Sequence, residues 1–253
     1  MQALPCFEDN YIWLISDGAL RWVVDPGDAG PVLTALAAGG PPLRGILVTH
    51  RHADHTAGIP ALLREHPVPV FGPAEAGAVV SELLRGGERL TLPGLGRVDV
   101  LAVGAHTHGH IAYHLPDAGL LLCGDSLFSA GCGRLFDGTG ADLAAVMSRY
   151  DALPADTVLY PTHEYTEANL RFAAAVEPDN EDIRAHQHRV AAWRAKNRPS
   201  LPTTLALERL INPYLRAGQP SVVTAVRHHA AADLSSRADI LAALRAWKDS
   251  FKG

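Results

Sequence analysis

The stretch VTHRHADHTAG, residues 48–58, sets His50, His52, Asp54 and His55 within six consecutive positions. Imidazoles this close repel one another when protonated and need partners when buried. The crowding becomes favourable when the rings are neutral and their nitrogens bind metal. Further candidates stand in similar settings: His106, His108 and His110 in HTHGH, Asp125 in GDSLF, and His163 in YPTH. Imidazoles and carboxylates without cysteine thiolates suit zinc, iron or manganese in an open site rather than a closed structural zinc. In an extended segment residues two apart point the same way, so His50 and His52 can chelate one ion. Asp54 and His55 follow where the chain turns and are aimed elsewhere. One four-ligand shell cannot use every candidate, whereas two ions about 3.5–4 Å apart and sharing a carboxylate can. Such a pair lowers the pKa of water from about 15.7 to about 7 and polarises a carbonyl, which is hydrolytic chemistry.

Spacing alone leaves open which of His106, His108 and His110 binds metal. The isolated His66, His186, His188, His228 and His229 read as surface histidines, and Asp125 taken alone reads as a helix cap. No Ser-His-Asp or Cys-His pattern competes. Cys132, in a Gly-flanked loop, reads as a packed small residue.

The ligand candidates sit at the ends of short apolar runs: GILVTH, VDVLAVGAH, LLLCGD and TVLYPTH, joined by YIWLIS and RWVVDPG. These runs are too short for helices and rich in branched or bulky residues, so they predict strands, many buried on both faces. Open α/β sheets gather function at strand ends. AGIPALLREH and GADLAAVMSRYDAL predict helices between them, hence a layered α/β domain over 1–165. Beyond residue 163 the strand signals fade. TEANLRFAAAV and NEDIRAHQHRVAAWRAK, separated by Pro178, predict helices, with NRPSLPTT as a linker to those that follow. SRADILAALRAWKDSF carries Ile240, Leu241, Leu244, Trp247 and Phe251 on one helical face, with Ser236 and Asp239 spaced as a capping box. A helical C-terminal domain over 166–253 is expected.

The 253 residues fit one large domain or one domain with a small appendage, and 47% hydrophobic against 19% charged residues is a globular profile. A net charge of −5 argues against general nucleic-acid or membrane-surface binding. No apolar run approaches the roughly 18 residues that span a bilayer, and MQALPCFEDN does not read as a signal peptide. The three scattered cysteines read as reduced thiols. The expectation is a cytoplasmic monomer acting on a small molecule.

THRHADH at 49–55 matches the T-H-x-H-x-D-H motif of the metallo-β-lactamase superfamily. HTHGH, GDSLF, AGCGRLFDGT and HEYTEANLRFA resemble the corresponding segments of glyoxalase II, the hydroxyacylglutathione hydrolases. DNYIWLI, INPYLR and LRAWKDSF extend the similarity over nearly the whole chain. The resemblance implies an αββα sandwich followed by a smaller all-α C-terminal domain. It implies His50, His52 and His110 on one metal, Asp54, His55 and His163 on the other, and Asp125 bridging, with Asp54 and Asp125 as the catalytic carboxylates. His110 is thereby singled out from its neighbours. Asp25, in VVDPG, resembles the superfamily aspartate that hydrogen-bonds a ligand histidine, though read alone it is a turn residue before Pro-Gly.

The implied cofactor is a pair of divalent ions, zinc, with iron or manganese as alternatives. The implied reaction is hydrolysis of S-D-lactoylglutathione, and related 2-hydroxyacyl thioesters, to D-lactate and glutathione in methylglyoxal detoxification. A thiol with pKa about 8–9 leaves as thiolate with little help from a general acid. The implied glutathione contacts are Arg245 and Lys248 on the last helix, with Arg134, Phe136 and Tyr165 at the thiol and glycine end. Arg245 and Lys248 share a helical face; read alone, that face is solvated, with Arg245 paired to Asp249. Some family members carry Lys and Tyr where this chain has Arg134 and Phe136, and a Phe offers the substrate no hydroxyl.

Rival readings fit less well. A persulfide dioxygenase on the same fold uses one iron, which leaves Asp54, His55 and His163 and the helical tail unexplained. A metal-dependent nuclease would carry a basic surface or a large inserted domain. A β-lactamase would not need a glutathione-like tail, and a non-catalytic metal scaffold would not need the full ligand set.

Overall fold

Residues 1–252 are described by a computed structural model. The chain forms two compact units. The first comprises Met1–Val103, Gly109–Gly124 and Tyr160–His163; the second comprises Gly104–His108, Asp125–Leu159 and the chain from Glu164 onward.

The first unit holds a sheet in the order β1 (Gln2–Cys6), β2 (Asn10–Ser16), β3 (Arg21–Val24), β4 (Leu43–Leu47), β5 (Val70–Pro73) and β6 (Glu82–Leu84). The β1–β2 and β2–β3 pairs are antiparallel; the pairs from β3 to β6 are parallel. Helices α1 (Ala29–Ala37), α2 (Ala53–Thr56) and α3 (Ile59–Glu65) serve as connections, and Val32, Ile59 and Leu62 join Ile12, Val23 and Ile46 in one fully buried cluster. The helix expected over AGIPALLREH forms as α3, starting at Ile59, because Ala57 and Gly58 make the turn that separates it from α2. Gly58 permits the close approach there, since a Cβ would lie 2.6 Å from the carbonyl oxygen of Pro26.

The second sheet of this unit runs antiparallel through β7 (Arg89–Leu92), β8 (Gly96–Ala102), β9 (Ile111–Leu115) and β10 (Leu120–Gly124), and then the Tyr160–Pro161 end of β11 (Val158–Pro161). Tyr113 of β9 ties the two sheets together: its buried hydroxyl lies 2.7 Å from the Val48 carbonyl and 3.1 Å from that of Phe71. The edges β1, β6 and β7, the interior strands β5 and β9 and helix α1 were not singled out from the sequence. Several are short or carry exposed residues without clean alternation, so their identity comes from pairing rather than local pattern.

In the second unit, α4 (Gly140–Asp151) precedes the start of β11, followed by α5 (Thr166–Val176), α6 (Glu181–Arg194), β12 (Thr203–Thr204), α7 (Leu205–Ile211), α8 (Pro220–Ala230) and α9 (Arg237–Ser250). The Val158–Leu159 end of β11 pairs with β12, a two-residue strand in a region expected to be helical. The capping box forms at α9: Ser236 accepts from the Asp239 N–H while the Asp239 carboxylate accepts from the Ser236 N–H. Gly140 lets α4 approach α9, because a Cβ there would lie 2.7 Å from that of Ala242. No helix among the described residues is long and apolar enough to cross a membrane.

One surface assignment is corrected. His186 is 2% exposed, on the same α6 stripe as Ile183 and Val190, and neither ring nitrogen has a hydrogen-bond partner among the described residues. Burial, helped by the charge of Arg189, lowers its pKa from 6.5 to about 4. Below pH 6.5 the unfolded chain gains a proton that the folded chain refuses until about pH 4. Stability should therefore fall with pH across that window, by about 3 kcal/mol at most. Urea unfolding at pH 7.5 and pH 5 should show a smaller loss for His186→Leu than for the wild type; equal losses would mean the ring is hydrated when folded.

Candidate metal centre

The motif lies where β4 ends. Val48 and Thr49 follow the strand, the chain bends at His50 and Arg51, and His52 stands at the N-cap of α2 with φ −61° and ψ 145°. Asp54 and His55 then fall in the first helical turn, with the His55 ring centroid 4.1 Å from that of His50. His163 arrives from β11, held because Tyr11 N–H donates to the Thr162 carbonyl and the Trp13 indole to that of Pro161.

Ligand-type atoms of Asp54, His55 and His163 lie within 4.8 Å of one another. Asp54 Oδ2 is 3.5 Å from His55 Nε2 and 3.4 Å from His163 Nε2. Both rings are turned from behind by carboxylates. His163 Nδ1 donates to Asp9 Oδ1 at 2.8 Å, and His55 Nδ1 lies 3.1 Å from Asp25 Oδ2. A neutral ring with its proton on Nδ1 presents the Nε2 lone pair to Asp54. Lone pairs facing a carboxylate repel unless a cation lies between them. The separations exceed the 2.7–2.9 Å of charge-assisted hydrogen bonds. They match the roughly 3.4 Å edge of a tetrahedron with bonds of about 2.1 Å. These residues fit a divalent ion. Burial alone would raise the Asp54 carboxyl, but His163, His55 and the Asn10 amide, which donates at 3.0 Å, outweigh it and hold the group well below the usual carboxylate range.

His50 is fully buried, and its ring centroid lies 4.7 Å from that of His52, 4.1 Å from His55 and 4.6 Å from His110, which stacks on it at 14°. Its Nε2 is 3.0 Å from His52 Nδ1. The Thr49 hydroxyl gives its proton to Asp25 Oδ2 at 2.7 Å, so it accepts from His50 Nδ1 at 3.1 Å. Asp25 thus orients His55 directly and His50 through Thr49. Of the three histidines that spacing left open, His108 is exposed, while His106 and His110 are buried.

Asp125 is the residue after Gly124, whose φ of 51° leaves space under Thr49 and the His110 ring that a Cβ would fill. Within the second unit, Asp125 Oδ2 lies 3.5 Å from His106 Nε2, and His106 Nδ1 donates to the Arg134 carbonyl at 2.8 Å.

The residues expected to contact substrate are placed unequally. Phe136 is 60% exposed, its ring set edge-on to His106, and Tyr165 is 37% exposed against Phe128. Arg134 is exposed, 3.7 Å from Asp249. Arg245 does pair with Asp249 at 2.9 Å, but the solvated-face reading fails: it is 6% exposed and donates to the Cys132 carbonyl. Lys248 is half-buried over the Phe172 ring and donates to the Ala168 carbonyl. Its burial, with Arg245 and Arg171 nearby, lowers its pKa to about 8.

Asp9, Asn10 and Thr49 were not proposed as site residues from the sequence. Their one signal is polar residues immediately before an apolar strand or a motif histidine, which more often marks a turn.

Comparisons place these features among known proteins. A family model described as the metallo-beta-lactamase superfamily matches residues 7–188, and one described as hydroxyacylglutathione hydrolase C-terminus matches residues 164–251. The chain is 48% identical to a hydroxyacylglutathione hydrolase of Dechloromonas aromatica (strain RCB), with 98% of both chains covered. It is 47% identical to one of Pseudomonas fluorescens (strain SBW25), with 99% of both covered. Among solved structures it is similar to ETHE1 from Myxococcus xanthus, with TM-score 0.62 and 23% identity over 96% of this chain and 98% of that one. It is also similar to TTHA1623 in a di-iron-bound form, with TM-score 0.60 and 24% identity over 85% of this chain and 98% of that one. At such identity these two likenesses concern the fold, an αββα sandwich.

Proposed function

Since the chain belongs to the hydroxyacylglutathione hydrolase family of the metallo-β-lactamase superfamily, we propose that it hydrolyses S-D-lactoylglutathione and related S-2-hydroxyacylglutathiones to the free acid and glutathione, a step of methylglyoxal detoxification. The observation that carries this reading is the Asp54, His55 and His163 set, with both rings turned by carboxylates toward one centre. His55, His163 and Asp54 would hold one divalent ion and His50, His52 and His110 a second, with Asp125 shared. When bound, the ions supply a water that ionises near neutral pH and positive charge for the thioester carbonyl oxygen. Zinc is the ion proposed, although the same ligands accept iron or manganese. None of the three cysteines is in a disulfide, which supports a reducing compartment, the cytoplasm.

The chain's own residues do the remaining work. Asp25, Asp9 and Thr49 keep the imidazoles in the tautomers that bind metal. Asp54 and Asp125, as carboxylates, would accept a hydrogen bond from the attacking water and orient it. The departing thiolate, with parent pKa about 8–9, needs no acid. Arg134 and Lys248 present the accessible positive charge to the carboxylates of glutathione, with Phe136 and Tyr165 beside them as exposed rings. Arg245 holds the Cys132 carbonyl and fixes the loop that carries Arg134.

The test is to follow thioester absorbance when metal-loaded protein meets S-D-lactoylglutathione. Rapid loss of absorbance, abolished by chelation and restored by zinc, is expected. KM should rise above about pH 8 as Lys248 loses its proton, with kcat following its own course, because a remote contact is alike in ground and transition states. Lys248→Ala should remove that rise. A metal-loaded protein that leaves the thioester intact would overturn the assignment.

A further inference from the structure

The turn between β1 and β2 consists of Phe7, Glu8 and Asp9, and its last residue has a clear task in holding His163. Phe7 has no such task. Its side chain is 60% exposed, and its backbone is left-handed at φ 52°, a conformation rare for bulky L-residues. Strain persists where the surroundings impose it, and it concentrates at functional sites. Little burial offsets it here.

The ring leans over the Pro26–Gly27 turn beside the motif. A Cβ on Gly27 would lie 2.9 Å from Phe7 Cε2 and 1.9 Å from the carbonyl oxygen of Asp54. Phe7, Ala53 and Ala57 form the apolar wall of a cavity of about 450 Å³, and Glu8, Asp9 and Asp54 its charged part. Every charged group lining this cavity is a carboxylate, so it repels the two carboxylates of glutathione. The cations suited to glutathione, Arg134 and Lys248, stand elsewhere in the chain. What the cavity can accept is the uncharged acyl part of a thioester, beside a carboxylate of the metal centre.

We propose that this cavity is the acyl subsite and that Phe7 sets acyl specificity, favouring apolar groups on the carbon that bears the 2-hydroxyl. This rests on the thioesterase reading above. The side chain at C2 lies on the exposed ring of Phe7, and the strained turn holds that ring out of the core.

Two substrates that differ only there provide the test: S-D-lactoylglutathione, with a methyl group, and S-D-mandeloylglutathione, with a phenyl. In Phe7→Ala the mandeloyl-to-lactoyl ratio of kcat/KM should fall about 3- to 10-fold, the scale of one aromatic contact, with Phe7→Leu intermediate. Lactoyl kcat/KM should fall less than mandeloyl, and the circular dichroism spectrum should stay close to wild type. An unchanged or increased ratio overturns the proposal. Calorimetric binding of the uncharged D-mandelamide and D-lactamide to the metal-loaded protein reads the same preference without turnover, and it should weaken in Phe7→Ala. If the wild type cleaves neither thioester yet binds the amides with a Phe7-dependent preference, the thioesterase reading fails and the subsite stands. If the preference ignores Phe7, the subsite falls.

Discussion

Asp54→Asn should reduce bound metal from about two ions per chain to about one and lower kcat/KM more than about 100-fold. The substitution keeps the side chain's size and its bond with Asn10, whose amide nitrogen lies 3.0 Å from Oδ2. It removes the negative charge that faces His55 and His163 at 3.5 and 3.4 Å. Loss of an outer partner of a metal ligand typically costs 10- to 100-fold in affinity or activity. A ligand that also accepts a hydrogen bond from the attacking water should cost more. The ion proposed on His50, His52 and His110 should stay, since Asp25 and Thr49 still orient His50. Elemental analysis after dialysis, with kinetics on the same sample, checks this. Two ions and near-normal turnover in the variant would mean that Asp54 is not a ligand.

Glu208→Ala should destabilise the second unit by about 2–4 kcal/mol and lower Tm by about 5–15 °C, with Glu208→Gln milder. Glu208 is fully buried on α7, and its carboxylate accepts from Ser129 Oγ, Ala130 N–H, Thr203 Oγ1 and Asn212 Nδ2. Burial pushes its pKa up, and these four donors oppose the shift. The two hydroxyls can rotate to other acceptors, and Asn212 keeps the carbonyls of Phe128 and Gly131. The Ala130 N–H cannot rotate: Ala130 sits at φ 55° in a turn closed by Phe128 and Gly131. One stranded buried donor and the space left by the side chain make up the expected loss. Gln keeps an oxygen for that N–H and fills the space. The turn leads into Arg134 and Phe136, so KM should also rise in Glu208→Ala while metal content holds. Thermal unfolding unchanged in both variants would show the carboxylate to be dispensable.

Much of the site was legible from residue type and spacing. H-x-H-x-D-H after an apolar run stood out as a candidate ligand set, because metal chemistry restricts which side chains can be crowded together. Helices α5, α6 and α9 were readable from their apolar stripes, and α9 also from its capping box. His186 was readable too, in principle: it continues the Ile183–Val190 stripe, but a lone polar residue there passed for a surface one.

Residue types and local spacing by themselves pointed to a metal-type cluster of histidines and carboxylates, to hydrolytic chemistry and to several helices, because each depends on neighbours within a few positions. Tertiary structure alone decided how those ligands are held. Asp9 meets His163 across 154 positions, and Asp25 meets Thr49 across 24. It also took Arg245 out of solvent to hold the carbonyl of Cys132, 113 positions away. Such partnerships leave no periodic trace, since a tautomer or a burial depends on what the fold brings alongside and not on what the chain places next.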